Sequence, residues 1–167
     1  MLSKKIEAAL NKQLNHEMTA FYHYLAMEAW FEEHNLSGFA NWMRAQGLEE
    51  LEHCRRIFKY VSDRGGAIDL QAIGKPPSTF KSPRAVFAKA AELETDNTRA
   101  IHAVYALAVD ENDYATQSAM KWFIDEQVEE EKTTREIEAL LAMAGDNQSA
   151  MLLLNSKLGE RAAGGES

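Results

Sequence analysis

The spacing Glu50-x-x-His53, set inside a strongly helical and otherwise apolar stripe, constrains this chain more than any other feature. Residues three apart in an α-helix stack one turn above the other and project the same way, so the carboxylate and the imidazole share a face. Stepping by three and four from them gives Phe39, Met43, Gln46, Glu50, His53, Ile57 and Tyr60, a core seam whose middle is polar. A bare buried carboxylate is costly or takes up a proton, so that seam needs a charge partner or a metal. A lone Glu-x-x-His proves little, because surface helices carry such pairs by chance. The same seam, however, recurs on three further segments and turns polar at mid-height in each.

With 167 residues and 46% hydrophobic content the chain can bury one sizeable core, and one domain over residues 1–159 with a flexible tail at 160–167 is expected. Gly and Pro gather between residues 65 and 83 and at the C-terminus, leaving long uninterrupted helical segments and predicting an all-α fold. Lys and Arg number 18 against 26 acidic residues, a net charge of -8, which disfavours nucleic acid or an anionic membrane as partner and favours cations. The single cysteine, Cys54, excludes an intrachain disulfide framework and any four-thiolate metal site, and fits a reducing compartment. The N-terminus, Met1 to Lys5, runs into an amphipathic helix, and no segment approaches the apolar length of a membrane span. A soluble, cytoplasmic protein is the expectation.

The first helix is predicted from a Ser3 N-cap to about Glu33, with the seam Ile6, Leu10, Gln13, Glu17, Ala20, Tyr24, Met27 and Phe31. His16 and His23 lie one step off it and read as flank or surface residues. After a short break at His34 to Ser37, with Ser37 as the expected cap, the second helix runs antiparallel to about Arg64, where Gly65-Gly66 stop it. The connection over residues 65–82 is too long for a hairpin loop and carries Ile68, Leu70, Ile73 and Phe80, which want packing. A helix of about 28 residues is about 42 Å long, and about 18 extended residues reach about 60 Å. The segment can therefore cross the whole bundle and set the third helix parallel to the second. Pro83 opens that helix, whose seam is Phe87, Ala90, Glu94, Asn97, Ile101, Val104 and Ala108. An acidic break, Asp110 to Asp113, leads to a fourth helix with the seam Met120, Phe123, Gln127, Glu130, Thr134, Ile137 and Leu141, closed by Gly145. A short fifth helix is predicted over about Gln148 to Leu158, too apolar to leave in water.

The four seams turn polar at one level, at Glu17, Glu50, His53, Glu94, Gln127 and Glu130, with Tyr24 close by. That is a dinuclear metal constellation. Four carboxylates balance two divalent ions when His53 is a neutral ligand, and oxygen-rich ligands with one imidazole and no thiolate suit iron or manganese. Glu residues and Glu-x-x-His motifs on the facing helices of a bundle resemble the signature of the ferritin-like di-iron class.

Over almost its whole length the chain resembles a bacterial non-haem ferritin. Glu17, Glu50, His53 and Glu94 fall where that family's ferroxidase ligands fall, Gln127 and Glu130 where its fourth helix contributes, and Tyr24 where a tyrosine hydrogen-bonds a ligand. The run Glu126 to Lys132 resembles the family's own acidic run. The resemblance implies a ferritin-like four-helix bundle with one long crossover between helices two and three and a short fifth C-terminal helix. It further implies a hollow shell of twenty-four subunits that oxidises Fe(II) at an intrasubunit di-iron site with O2 or H2O2 and stores ferric mineral, the fifth helix lining the four-fold axes. Haem is not expected, since Leu51 and Glu130 stand where a haem-containing bacterioferritin carries Met and His. Trp122 matches an aromatic position near the site in ferritins, with core packing as its expected role. The alternative activity is a di-iron or di-manganese carboxylate oxidase or peroxidase in oxidative-stress defence, without bulk storage.

Two further expectations follow from the resemblance. Bacterial ferritins have a third metal position, for which Glu49, Glu126 and Glu129 are the candidates, each one residue before a member of the first set and turned by about 100° from it. The acidic break Asp110-Glu111-Asn112-Asp113 lies near the family's three-fold channels and is the expected route for cations.

Overall fold

A computed structural model describes residues 2–160, so the expected tail lies outside the described residues beyond Glu160. Five helices follow in order: α1 Lys4–Glu33, α2 Ser37–Asp63, α3 Pro83–Asp110, α4 Tyr114–Ala144 and α5 Gln148–Gly159. Their starts follow from side chains that accept the backbone N–H groups a helix leaves unpaired at its first turn. Ser3 accepts from Ile6, Ser82 from Ala85, Asp113 from Thr116 and Asn147 from Ala150. Pro83 sits in the first turn of α3, where its missing N–H costs nothing. Gly65 ends the second helix at φ 71°, a left-handed conformation that favours glycine.

The start of α2 departs from expectation. Ser37 is the first helical residue, Leu36 occupies the N-cap position, and no side chain of the local sequence caps the helix. The N–H of Phe39 is instead accepted by Asn155 Oδ1 of α5 at 3.0 Å. Gly38 makes that approach possible, because a Cβ there would lie 1.7 Å from the Asn155 carbonyl oxygen.

Two apolar clusters fill the bundle, and their membership sets its topology. One joins the C-terminal half of α1 (Tyr24, Met27, Trp30, Phe31), the start of α2 (Phe39, Trp42, Met43), the start of α3 (Val86, Phe87, Ala90) and the end of α4 (Ile137, Leu141). The other joins the start of α1 (Ile6, Leu10, Leu14), the end of α2 (Cys54, Ile57, Val61), the end of α3 (Ile101, Val104) and the start of α4 (Met120, Phe123). Helices α2 and α3 therefore run parallel, as the length of the crossover permits, and each is antiparallel to its hairpin partner. Phe31, Phe39, Trp42 and Phe87 meet ring against ring, and burying each such side chain stabilises the fold by about 2–3 kcal/mol. The seams drawn from periodicity are buried throughout, apart from the half-buried Tyr60.

The crossover is held by two asparagines four residues apart on α1. Asn11 donates to the Ala67 carbonyl and accepts the Asp69 N–H, both at 2.8 Å. Asn15 repeats the pair on the Asp69 carbonyl and the Gln71 N–H, also at 2.8 Å. Ile68 and Phe80 pack against the two clusters, whereas Leu70 is 68% exposed, against the expectation that all the crossover's apolar residues would pack. Helix α5 turns Met151, Leu154 and Leu158 onto the first cluster and leaves Leu152 and Leu153 exposed, so only part of its apolar surface is covered within the subunit. No helix among the described residues is long and apolar enough to cross a membrane.

Candidate metal centre

Between the two apolar clusters lies a polar layer to which each long helix contributes. Glu17, Glu50, His53, Glu94, Gln127 and Glu130 are all buried, and Tyr24 is completely so. Glu17, Glu50 and His53 each offer a donor atom, and these atoms lie within 4.8 Å of one another. His53 Nδ1 stands 3.4 Å from Glu50 Oε2 and 4.0 Å from Glu17 Oε2, in neither case in hydrogen-bond geometry. Both oxygens of Glu50, His53 Nδ1 and Gln127 Oε1 are buried without a hydrogen-bond partner. Such groups are costly to bury, and a cation that takes lone pairs of Glu17, Glu50 and His53 offsets the cost for that group. The donor set, carboxylate oxygens with one imidazole nitrogen, fits a divalent iron or manganese ion.

The other carboxylates are oriented by neighbours. Glu94 accepts from the Tyr24 hydroxyl on Oε1 and from Gln127 Nε2 on Oε2 at 3.3 Å. Gln127 Nε2 also donates to the Glu94 carbonyl at 3.1 Å. Gln46 Nε2 donates to Glu130 Oε2 at 2.9 Å. Glu17 accepts from Gln13 at 2.8 Å and from Asn97 at 3.0 Å. Gln13, Gln46 and Asn97 all lie on the seams drawn from the sequence, immediately beside the belt residues. Their polarity on a core face is the signal the sequence offers, but periodicity assigns them only to the seams and not to the site. Thr98, which donates to Glu131 Oε1 at 2.6 Å, lies off the seam and carried no such signal.

Crowding of acids in a dry layer sets the protonation. Burial first, then the charges of Glu94 and Glu17, pushes the Glu50 carboxyl well above its ordinary range. Burial raises Glu94 to about 7 against the hydrogen bonds from Tyr24 and Gln127, which pull it down. Burial and the negative charges of Glu94, Glu50 and Glu130 hold the Tyr24 phenol well above its usual value, so it stays a donor.

His16 and His23 are half-buried, and the converging group of Glu17, Glu50 and His53 does not include them. Burial, followed by the charge of Lys89, holds the His23 imidazole below its ordinary value. Trp122 combines packing with a place at the site: its ring meets His53 edge to face at 5.4 Å, and the Arg56 guanidinium lies 3.8 Å from its centroid. Glu49 and Glu126 are half-buried and Glu129 is exposed. The Glu126 carboxyl is raised by burial first, lowered by His53, and raised again by Glu129 and Glu49, so the three acids stand within electrostatic range of one another. In the acidic break, Asp113 is committed to capping α4 and to Arg64, whose Nη2 lies 3.0 Å from its Oδ2. Glu111 accepts from the Ser3 hydroxyl and stands 3.6 Å from Lys5. Two of the three acids on the expected cation route are thus engaged in holding the fold.

A family model described as a ferritin-like domain matches residues 7–144. Over 161 residues the chain is 37% identical to the bacterial non-heme ferritin of Staphylococcus aureus strain USA300, covering 96% of this chain and 97% of that protein. It is 38% identical over the same length to the bacterial non-heme ferritin of Staphylococcus haemolyticus, with the same coverage. An open pore ferritin from the hyperthermophilic archaeon Archaeoglobus fulgidus superposes with a TM-score of 0.95 at 40% identity, over 97% of this chain and 99% of that one.

Proposed function

The chain belongs to the ferritin-like domain family, and from that membership and the buried acid layer we propose that residues 1–159 act as one unit that binds Fe(II), oxidises it and stores the product. The observation that carries the reading is the convergence of Glu17, Glu50 and His53 with both Glu50 oxygens unpartnered. Glu50 is the bridging ligand, since each of its oxygens is free to meet a different ion. Glu17 and His53 complete one position, and Glu94 and Glu130 the other, with Gln127 a weak neutral donor beside them. Four carboxylates and two divalent ions leave the filled site neutral. Binding therefore relieves both the repulsion among the acids and their desolvation.

Fe(II) is the substrate. Two ions give one electron each, O2 takes both electrons with two protons and leaves as hydrogen peroxide, and the ferric ions pass on to the store. Collecting both electrons in one place avoids release of a one-electron oxygen radical. The protons that Glu50 and Glu94 hold before iron binds must leave as it enters, so the site couples metal uptake to proton release. Tyr24 keeps Glu94 oriented through its hydroxyl. The two apolar clusters above and below keep the acid layer buried.

Glu49, Glu126 and Glu129 form a third cation position, with Glu130 reaching between it and the pair. It lacks an imidazole and includes an exposed acid, so it serves transit and not oxidation. Glu129→Ala should leave the fast two-iron oxidation intact while changing the Fe(II) consumed per O2; unaltered stoichiometry, with crystals soaked in iron showing two ions per subunit, would remove it. Assembly into a closed shell of twenty-four copies covers Leu152 and Leu153 of α5. A cytoplasmic location fits the reduced, buried Cys54. The alternative of an oxidase or peroxidase without storage has less support, since the relatives at 37–38% identity are named non-heme ferritins.

The deciding measurement is the rate of the Fe(II)-dependent absorbance change. Glu94→Ala should lower it far more than Gln127→Ala, because a charged ligand is lost in the first case and an amide in the second. Equal rates for wild type and Glu94→Ala would sink the assignment.

A further inference from the structure

Glu17 and Glu50 differ in one respect that their common placement hides. Both oxygens of Glu17 accept from amide side chains, while neither oxygen of Glu50 accepts from an amide or a hydroxyl. The amides form a closed ring. Gln13 Nε2 donates to Glu17 Oε1 at 2.8 Å and to Asn97 Oδ1 at 2.7 Å, and Asn97 Nδ2 donates to Glu17 Oε2 at 3.0 Å. All three residues are at least 99% buried. Gln13 lies one turn before Glu17 on α1, and Asn97 one turn after Glu94 on α3, so the ring ties two helices that each supply a carboxylate to the centre.

We propose that Gln13 and Asn97 are positioning residues that fix Glu17 as a terminal ligand to a single divalent cation on the His53 side of the centre. A carboxylate held at both oxygens cannot rotate to offer one oxygen to each of two ions, and each oxygen has given up one of its acceptor directions to an amide. Glu17 Oε2 stands 4.0 Å from His53 Nδ1. Two donors that each lie about 2.0–2.2 Å from one ion stand at most about 4.4 Å apart, so that separation suits a single shared ion. The ring thus divides the labour between two buried acids one helix apart: Glu17 is held for one cation, and Glu50 is left free for two. This inference rests on the di-metal reading above.

The test uses the assembled, metal-free protein titrated with Co(II), whose d–d absorption reports coordination without turnover. Wild type should bind two Co(II) per subunit at the pair. In Asn97→Leu, the affinity of one ion should fall about 10–100-fold with a change in its d–d band, while the other ion is unaffected. Gln13→Leu should do the same, and it decides the matter if Asn97→Leu does not assemble. Introducing Asn97→Leu into Glu17→Gln should add nothing, because the ring acts only through that carboxylate. Unchanged affinities and spectra in both single variants would overturn the positioning role, and so would an equal further loss in the Glu17→Gln background, which would mark a purely structural clamp between α1 and α3. Failure of wild type to bind Co(II) at the pair would instead overturn the di-metal reading itself.

Discussion

Cation binding at the centre should release protons, and Glu94 sets a lower limit on how many. Burial raises its carboxyl to about 7, against the hydrogen bonds from Tyr24 and Gln127. A group of that acidity carries a proton in about 90% of subunits at pH 6 and in about 10% at pH 8. A divalent ion must displace that proton, so competition weakens apparent binding about tenfold at pH 6 and hardly at all at pH 8. Glu50, raised further by its own burial and by Glu94 and Glu17, adds to this in the same direction. The assay is calorimetric titration with Zn(II) in two buffers of different ionisation heat, which separates proton release from binding. Wild type should release about one proton more per subunit at pH 6 than Glu94→Gln does, and the excess should be nearly gone at pH 8. Equal release from the two proteins at pH 6 would refute the claim that Glu94 is protonated before the cation arrives.

The same acids make the metal-free protein pH-sensitive in an unusual sense. Folded Glu94 and Glu50 hold protons more tightly than the unfolded chain does, so stability is fully present below pH 4.5 and is lost as the pH rises towards 7, by about 3 kcal/mol for Glu94 alone. His23 acts oppositely as the pH falls below 6.5, so the quantity to follow is the melting difference between Glu94→Gln and wild type; it should favour the variant more at pH 8 than at pH 5, and a difference independent of pH would contradict the burial argument. Gly38→Ala would place a methyl 1.7 Å from the Asn155 carbonyl oxygen and should release α5 from α2, while Asn155→Leu should cost about 1 kcal/mol through the lost Phe39 cap. Amide exchange in α5 reports both, and wild-type protection in Gly38→Ala would dismiss the docking. Asn11→Ala strips the partners of the Ala67 carbonyl and the Asp69 N–H and should cost about 1–3 kcal/mol; an unchanged exchange rate at Asp69 would show that the crossover is held elsewhere.

Much of this molecule is legible in the residues taken one helix at a time. Periodicity is a local property, so steps of three and four identify which face of each helix is buried, and they place Glu17, Glu50, His53, Glu94, Gln127 and Glu130 on those faces near mid-helix. The side-chain cap at Ser3 marks a helix start because its partner, the Ile6 N–H, lies three residues away. The length of the 65–82 segment allows α2 and α3 to run parallel. Contacts between distant segments are another matter, because a hydrogen bond depends on the rotation and axial register of two helices to within a fraction of an ångström, and spacing within one helix carries no such information. Only the tertiary structure shows that Asn155 caps α2 across 116 positions of chain and that Asn11 reaches the crossover 58 positions on. It alone turns Gln13, Gln46 and Asn97 from polar seam residues into the donors that hold Glu17 and Glu130, and it alone leaves both Glu50 oxygens without an amide donor. The protonation of the centre follows from the same cause: four acids drawn from four helices acquire their shared desolvation only when the helices close around them.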